Sequence, residues 1–156
     1  MKRWILIVMG LVWLPAQADD VSDAEAKLYE YFEVFNQKDV ERIATRIYAT
    51  PVQTGGGASH RVLATPDAAI DNLTSLYPQI EEQGWKESVI ENLKTCVLSD
   101  SLAIVDTRYS RMDKDGNPIP PAIRTTMYIV QKIDAEWRIV AFYGHDNATR
   151  PVCGGE

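Results

Sequence analysis

Histidine and cysteine are scarce, with two of each among 156 residues. These are the side chains that most often bind transition metals or supply a thiolate. Here they are His60, His145, Cys96 and Cys153, spread along the chain without the spacing of metal ligands. The reading therefore includes no metal and no cofactor. Gly-x-Ser-x-Gly is absent, which excludes a nucleophile elbow. Gly55-Gly56-Gly57 lacks the Gly-Lys-Ser/Thr ending of a phosphate-cradling loop. Positive charge is also in deficit: 16 Lys and Arg stand against 22 Asp and Glu, a net charge of −6. No basic field is available to neutralise nucleic-acid phosphates or an anionic membrane. Internal repeats and low-complexity segments are missing, and only one long apolar run occurs.

That run, residues 4–14 broken by Gly10, follows Lys2-Arg3 and leads into Pro15-Ala16-Gln17-Ala18. A positive start, an apolar stretch shorter than the ~20 residues that span a bilayer, and a small-x-small end together read as a secretory signal peptide over residues 1–18. The mature chain is expected to be exported, periplasmic or secreted, and free of the membrane. Losing Lys2 and Arg3 would leave 14 basic against 22 acidic residues, a net charge of −8. Export places Cys96 and Cys153 where a disulfide can persist. A bridge that pins the C-terminal tail is one reading, and two unpaired thiols are the other.

The rest, 46% hydrophobic and 24% charged over the whole chain, is enough for one domain with a core. We place that domain at residues 19–146, with a loose polar tail at 147–156. Ser22 and Glu25 form a capping-box pattern, and Leu28, Tyr31, Phe32 and Phe35 recur at helical spacing, which predicts a helix over 21–36. Asp39 caps a second, shorter helix that ends before Pro51. Two short strands, Val52-Gln53 and residues 60–63, flank the glycine loop. Thr65-Pro66-Asp67 starts a third helix, kinked at Pro78 and stopped by Gly84. Residues 85–98 are extended without clean alternation, which suggests a bulge. Three long antiparallel strands follow at 102–112, 122–133 and 136–145, the last two joined at Asp134-Ala135.

The order helix, helix, two short strands, helix, four long strands is α+β with a segregated sheet. It resembles the nuclear transport factor 2-like superfamily. The residues that carry the likeness are Phe35-Asn36-Gln37-Lys38-Asp39, Tyr48-Ala49-Thr50-Pro51, Asp115-Gly116 and Glu136-Trp137-Arg138-Ile139-Val140. Among its members the chain looks most like the SnoaL-like ones. The resemblance implies a cone-shaped, cystatin-like fold, three helices on a curved, mostly antiparallel sheet. It also implies a small-molecule pocket between helices and sheet, and a homodimer.

An even-length turn at Asp134-Ala135 pairs Lys132 with Trp137, Val130 with Ile139, Tyr128 with Ala141, Thr126 with Tyr143 and Arg124 with His145. Met127, Ile129, Val140 and Phe142 then share the other face, whereas an odd-length turn or bulge would scramble the partition. On this register Arg124, Tyr128 and Tyr143, with Tyr31 and Tyr48, are the candidate ligand-binding residues. His145 could act as a general base, or lie exposed at a strand end. Asp106 and Arg108 share one side of their strand, as an internal ion pair or as an acid–base pair. The latter follows the related limonene epoxide hydrolase, which uses aspartate and arginine around a water. Ketosteroid isomerase pairs a carboxylate base with a first-helix tyrosine. Tyr31 matches the tyrosine, but Pro51-Val52-Gln53 offers no carboxylate. Three functions stay open: a binding domain for a small, largely apolar molecule; an acid–base enzyme (isomerase, dehydratase or epoxide-hydrolase-like); and a dimeric interaction module without chemistry.

Overall fold

The computed structural model describes residues 16–153. The segment read as a signal peptide lies outside them up to Pro15. Helix α1 spans Ala16–Asn36, so Ser22 sits within the helix and not at its cap. Glu25 instead accepts a hydrogen bond from Thr95 Oγ1 at 2.7 Å. The helix buries Ala24, Leu28, Tyr31, Phe32 and Phe35, the stripe that a 3.6-residue period brings to one side. At its end, Asn36 donates to the Ser88 carbonyl at 3.0 Å and accepts from the Ser88 amide at 2.8 Å. Lys38, at φ 59°, then reverses the chain.

Asp39 caps α2 (Val40–Arg42) by accepting from the Arg42 amide at 3.0 Å. The helix runs directly into a π-helical segment, Ile43–Ile47, that buries Ile43, Ala44 and Ile47. Strand β1 (Tyr48–Gly56) pairs antiparallel with β2 (Ser59–Leu63), so Gly55 and Gly56 are strand residues and not the expected loop. Gly55 is required there: a Cβ would collide with the Ser59 carbonyl oxygen. Helix α3 (Pro66–Glu81) starts on the Thr65 cap, whose hydroxyl accepts from the Ala68 amide at 3.2 Å. The helix continues through Pro78, and Gly84 reverses the chain at φ 90°. Tyr77 ties α3 to α1 by donating to the Phe35 carbonyl at 2.9 Å.

Strands β3 (Glu87–Ser99), β4 (Leu102–Met112), β5 (Arg124–Ile133) and β6 (Glu136–His145) complete one six-stranded sheet of order β2-β1-β6-β5-β4-β3. Only β1 and β6 pair in parallel. The sheet is curved and unclosed, and the helices cover one of its faces. Between them lie Val52, Val105, Val130 and Ile139, all wholly buried.

The register of the last hairpin decides which side chains meet the helices. Asp134 and Ala135 both have positive φ, 51° and 66°, the two-residue turn that suits strand twist. Pairing starts as the even turn requires, with Lys132 opposite Trp137 and Val130 opposite Ile139. It then slips between Ile129 and Val130, where Val140 is the extra residue of a β-bulge. Beyond it Tyr128 faces Phe142, Thr126 faces Gly144, Met127 faces Tyr143 and Thr125 faces His145. One inserted residue exchanges the faces of every later side chain. Tyr143 and His145 therefore lie on the outer face, and Phe142 lies under the helices, the reverse of the unbulged expectation.

Candidate functional site

Two adjoining, partly open spaces of about 230 and 290 Å³ lie between helices and sheet, the first bordered mainly by α1, β4, β5 and β6 and the second by α1, β1, β2 and α3. Tyr31, Gly55, Leu76 and Phe142 form a wall common to both. Phe32, Phe35, Tyr109 and Tyr128 supply most of the remaining aromatic surface of the first space. The Tyr128 ring packs against Tyr31 at 5.7 Å and Phe142 at 5.8 Å, and Tyr48 packs against Phe142 at 5.6 Å. The Tyr31 and Tyr48 hydroxyls are 3.2 Å apart. Burial pushes the Tyr31 hydroxyl up to about 12 and drives those of Tyr48 and Tyr128 well above the usual tyrosine value. All three stay protonated at neutral pH.

Arg111 is the one formal charge lining the first space. It sits at the end of β4 on the same side as Tyr109 and Val105, opposite in parity to Asp106 and Arg108. Its Nε is buried without a hydrogen-bond partner. No ion pair to it occurs among the described residues. Reading the odd-numbered side chains of β4 as the inward set would have singled it out.

Arg124 opens β5 but does not reach into this space. Its guanidinium donates to the carbonyls of Ile119 (3.0 Å), Pro121 (2.7 Å) and Pro120 (3.0 Å), bracing the proline-rich loop. Burial, and then the nearby Arg111 charge, lowers its pKa from the ordinary arginine value.

The other candidates gather on the outer face. The Asp106 carboxylate is wholly buried. His145 Nε2 meets its Oδ1 at 2.6 Å, and Arg150 Nε pairs with its Oδ2. Arg108 makes no ion pair among the described residues, so the expected Asp106–Arg108 pair is replaced by partners distant in sequence. His145 Nδ1 contacts the Asp146 carbonyl at 2.8 Å, which leaves both ring nitrogens engaged with acceptors. Tyr143 donates to Gln53 Oε1 at 2.9 Å. The tail expected to be loose is fastened here. Arg150 reaches Asn92 at 3.0 Å, and Cys153 is disulfide-bonded to Cys96 of β3. Sequence reading placed Asp106 and His145 as candidates but could not show that the tail covers them.

The family model for the NTF2-like protein (DUF6841) matches residues 20–147. The chain belongs to this NTF2-like family. A crystal structure of an NTF2-like protein of unknown function from Shewanella oneidensis MR-1 is 19% identical, covers 81% of this chain and 99% of its own, and has a TM-score of 0.63. A scytalone dehydratase-like protein from Novosphingobium aromaticivorans DSM 12444 is 12% identical, covering 83% and 85%, at TM-score 0.63. A ketosteroid isomerase-like protein from Erwinia carotovora atroseptica SCRI1043 is 14% identical, covering 84% and 98%, at TM-score 0.60. No curated protein matches. At these identities the structural relatives establish the fold.

Proposed function

We propose that this NTF2-like chain is an exported, homodimeric binding domain for a small, largely apolar molecule, held between its helices and sheet. One observation carries the reading: aromatic rings and tyrosine hydroxyls dominate the lining of the first space, and no Asp, Glu or His borders either space. Acid–base turnover needs a group that exchanges protons near neutral pH. Burial moves Tyr31, Tyr48 and Tyr128 away from that range. Asp106 and His145 belong to the opposite face of the sheet, held by each other and by the tail. This argues against carrying the dehydratase-like or isomerase-like names of the relatives over to this chain.

The Cys96–Cys153 bridge supports export, since disulfides persist in oxidising compartments. The outer face offers a second copy Ile104, Met127, Ile129 and Val140, all only half-buried. Native mass spectrometry of protein purified from its own host tests both parts at once. The expected spectrum shows a dimer with a retained small molecule. Protein recovered entirely as an empty monomer would defeat both parts.

A further inference from the structure

The small-molecule reading above leaves the ligand's chemistry open, and Arg111 narrows it. A guanidinium set against an apolar enclosure loses hydration, and that loss is normally compensated by a carboxylate or by carbonyl acceptors. Three other partly buried cations show such compensation. Arg124 has three carbonyls, Lys132 has Asp20 at 2.6 Å, and Arg150 has Asp106. Arg111 has neither: its Nε is buried and unbonded, and no carboxylate pairs with it among the described residues. This is the more notable in a chain with net charge −6.

The Tyr31, Tyr109 and Tyr128 hydroxyls can all donate, and these residues line the same space as Arg111. Protonated phenols and a guanidinium fork together suit an anion, and the planar fork matches a carboxylate in two-point contact. Phe32, Phe35, Leu76 and Phe142 supply flat apolar walls around this donor set. The first space, about 230 Å³, lies below the usual range for drug-sized ligands, so the body of the ligand is no more than one or two rings.

We infer that the pocket takes a small aromatic carboxylic acid as its anion, with the carboxylate seated on Arg111 and the ring among Phe32, Phe35 and Phe142. The inference rests on the small-molecule-binding reading and specifies its ligand class.

Calorimetric titration of the full chain tests it, with benzoate, phenylacetate and 1-naphthoate as probes against their primary amides. The amides keep shape and ring area but lack the charge. At least one acid should bind about tenfold or more tighter than its amide, the scale of a charged hydrogen bond. Arg111→Gln should abolish that preference, leaving acid and amide to bind alike. Equal affinity of acid and amide for the unaltered protein overturns the inference and leaves the pocket reading standing; no variant is needed for that comparison. A preference that survives Arg111→Gln also overturns it, since the anchor would then lie elsewhere. Binding of neither acids nor amides to the unaltered protein also overturns this inference, while the pocket reading stands or falls with the retained molecule in the native mass spectrum.

Discussion

Removing the Cys96–Cys153 bridge should cost the fold about 4 kcal/mol. The two Cα atoms are 5.3 Å apart and the sequence separation is 57 residues. In the chain-entropy account, cross-linking a loop of that length removes about 14 cal/mol/K from the unfolded chain, or ~4 kcal/mol at 25 °C. The bridge acts on the folded side as well, because it closes the tail that carries Arg150 onto Asp106 and Asn92. Urea unfolding of a Cys96→Ala/Cys153→Ser variant measures the sum. With a denaturant slope of about 2 kcal/mol per molar, the midpoint should fall by about 2 M. Reductant should carry the unaltered protein to the same midpoint. A shift below about 0.5 M, or a midpoint indifferent to reductant, would refute the reasoning, because no covalent loop would then constrain the unfolded chain.

Two further outcomes follow from the buried polar groups. Asp106→Asn removes a carboxylate with 0% exposure, while the side chains of His145 and Arg150 keep 27% and 22%. Because those partners can rehydrate, the cost should sit at the low end for a broken buried pair, about 3 kcal/mol, read as a lower thermal midpoint by about 9 °C; an unchanged midpoint would mean the carboxylate contributes nothing. Alkaline pH should also destabilise the protein. The Tyr31 hydroxyl is raised from 10.0 to about 12 by burial, so its contribution is complete below the unfolded value near pH ~10 and is lost as pH rises through the folded one. A gap of this size amounts to at most about 2.7 kcal/mol, and Tyr48 and Tyr128 act in the same direction. Urea midpoints should hold level from about pH 8 to about pH 10 and fall between about pH 10 and about pH 11.5, and a profile flat throughout would show that these hydroxyls meet solvent.

Much of the fold was legible locally. The Asp39 and Thr65 caps, the aromatic stripe of α1, the Asp134-Ala135 turn and the alternation of β4 and β5 depend on neighbours a few residues apart. They sufficed for the α+β order and for the family, and they placed Tyr31, Tyr48 and Tyr128 among the candidates. The capping box at Ser22 failed because α1 starts earlier, at Ala16, where no sequence signal marked a start.

What the chain's own order could not decide is which side of the sheet each half of β6 presents. Alternation has period two, so a single extra residue at Val140 transfers Phe142 to the pocket and Tyr143 and His145 to the opposite face. Nothing in Arg138-Ile139-Val140-Ala141 announces that residue, because a bulge is set by the strands on either side and by the curvature they impose. The partners of Asp106 come from β6 and from the tail, 39 and 44 residues onward, and Arg111 is distinguished by a place on the pocket wall where its buried Nε finds no partner. Local residues determined the elements and their order; three-dimensional packing decided the inward face, because that choice is made between segments distant in sequence.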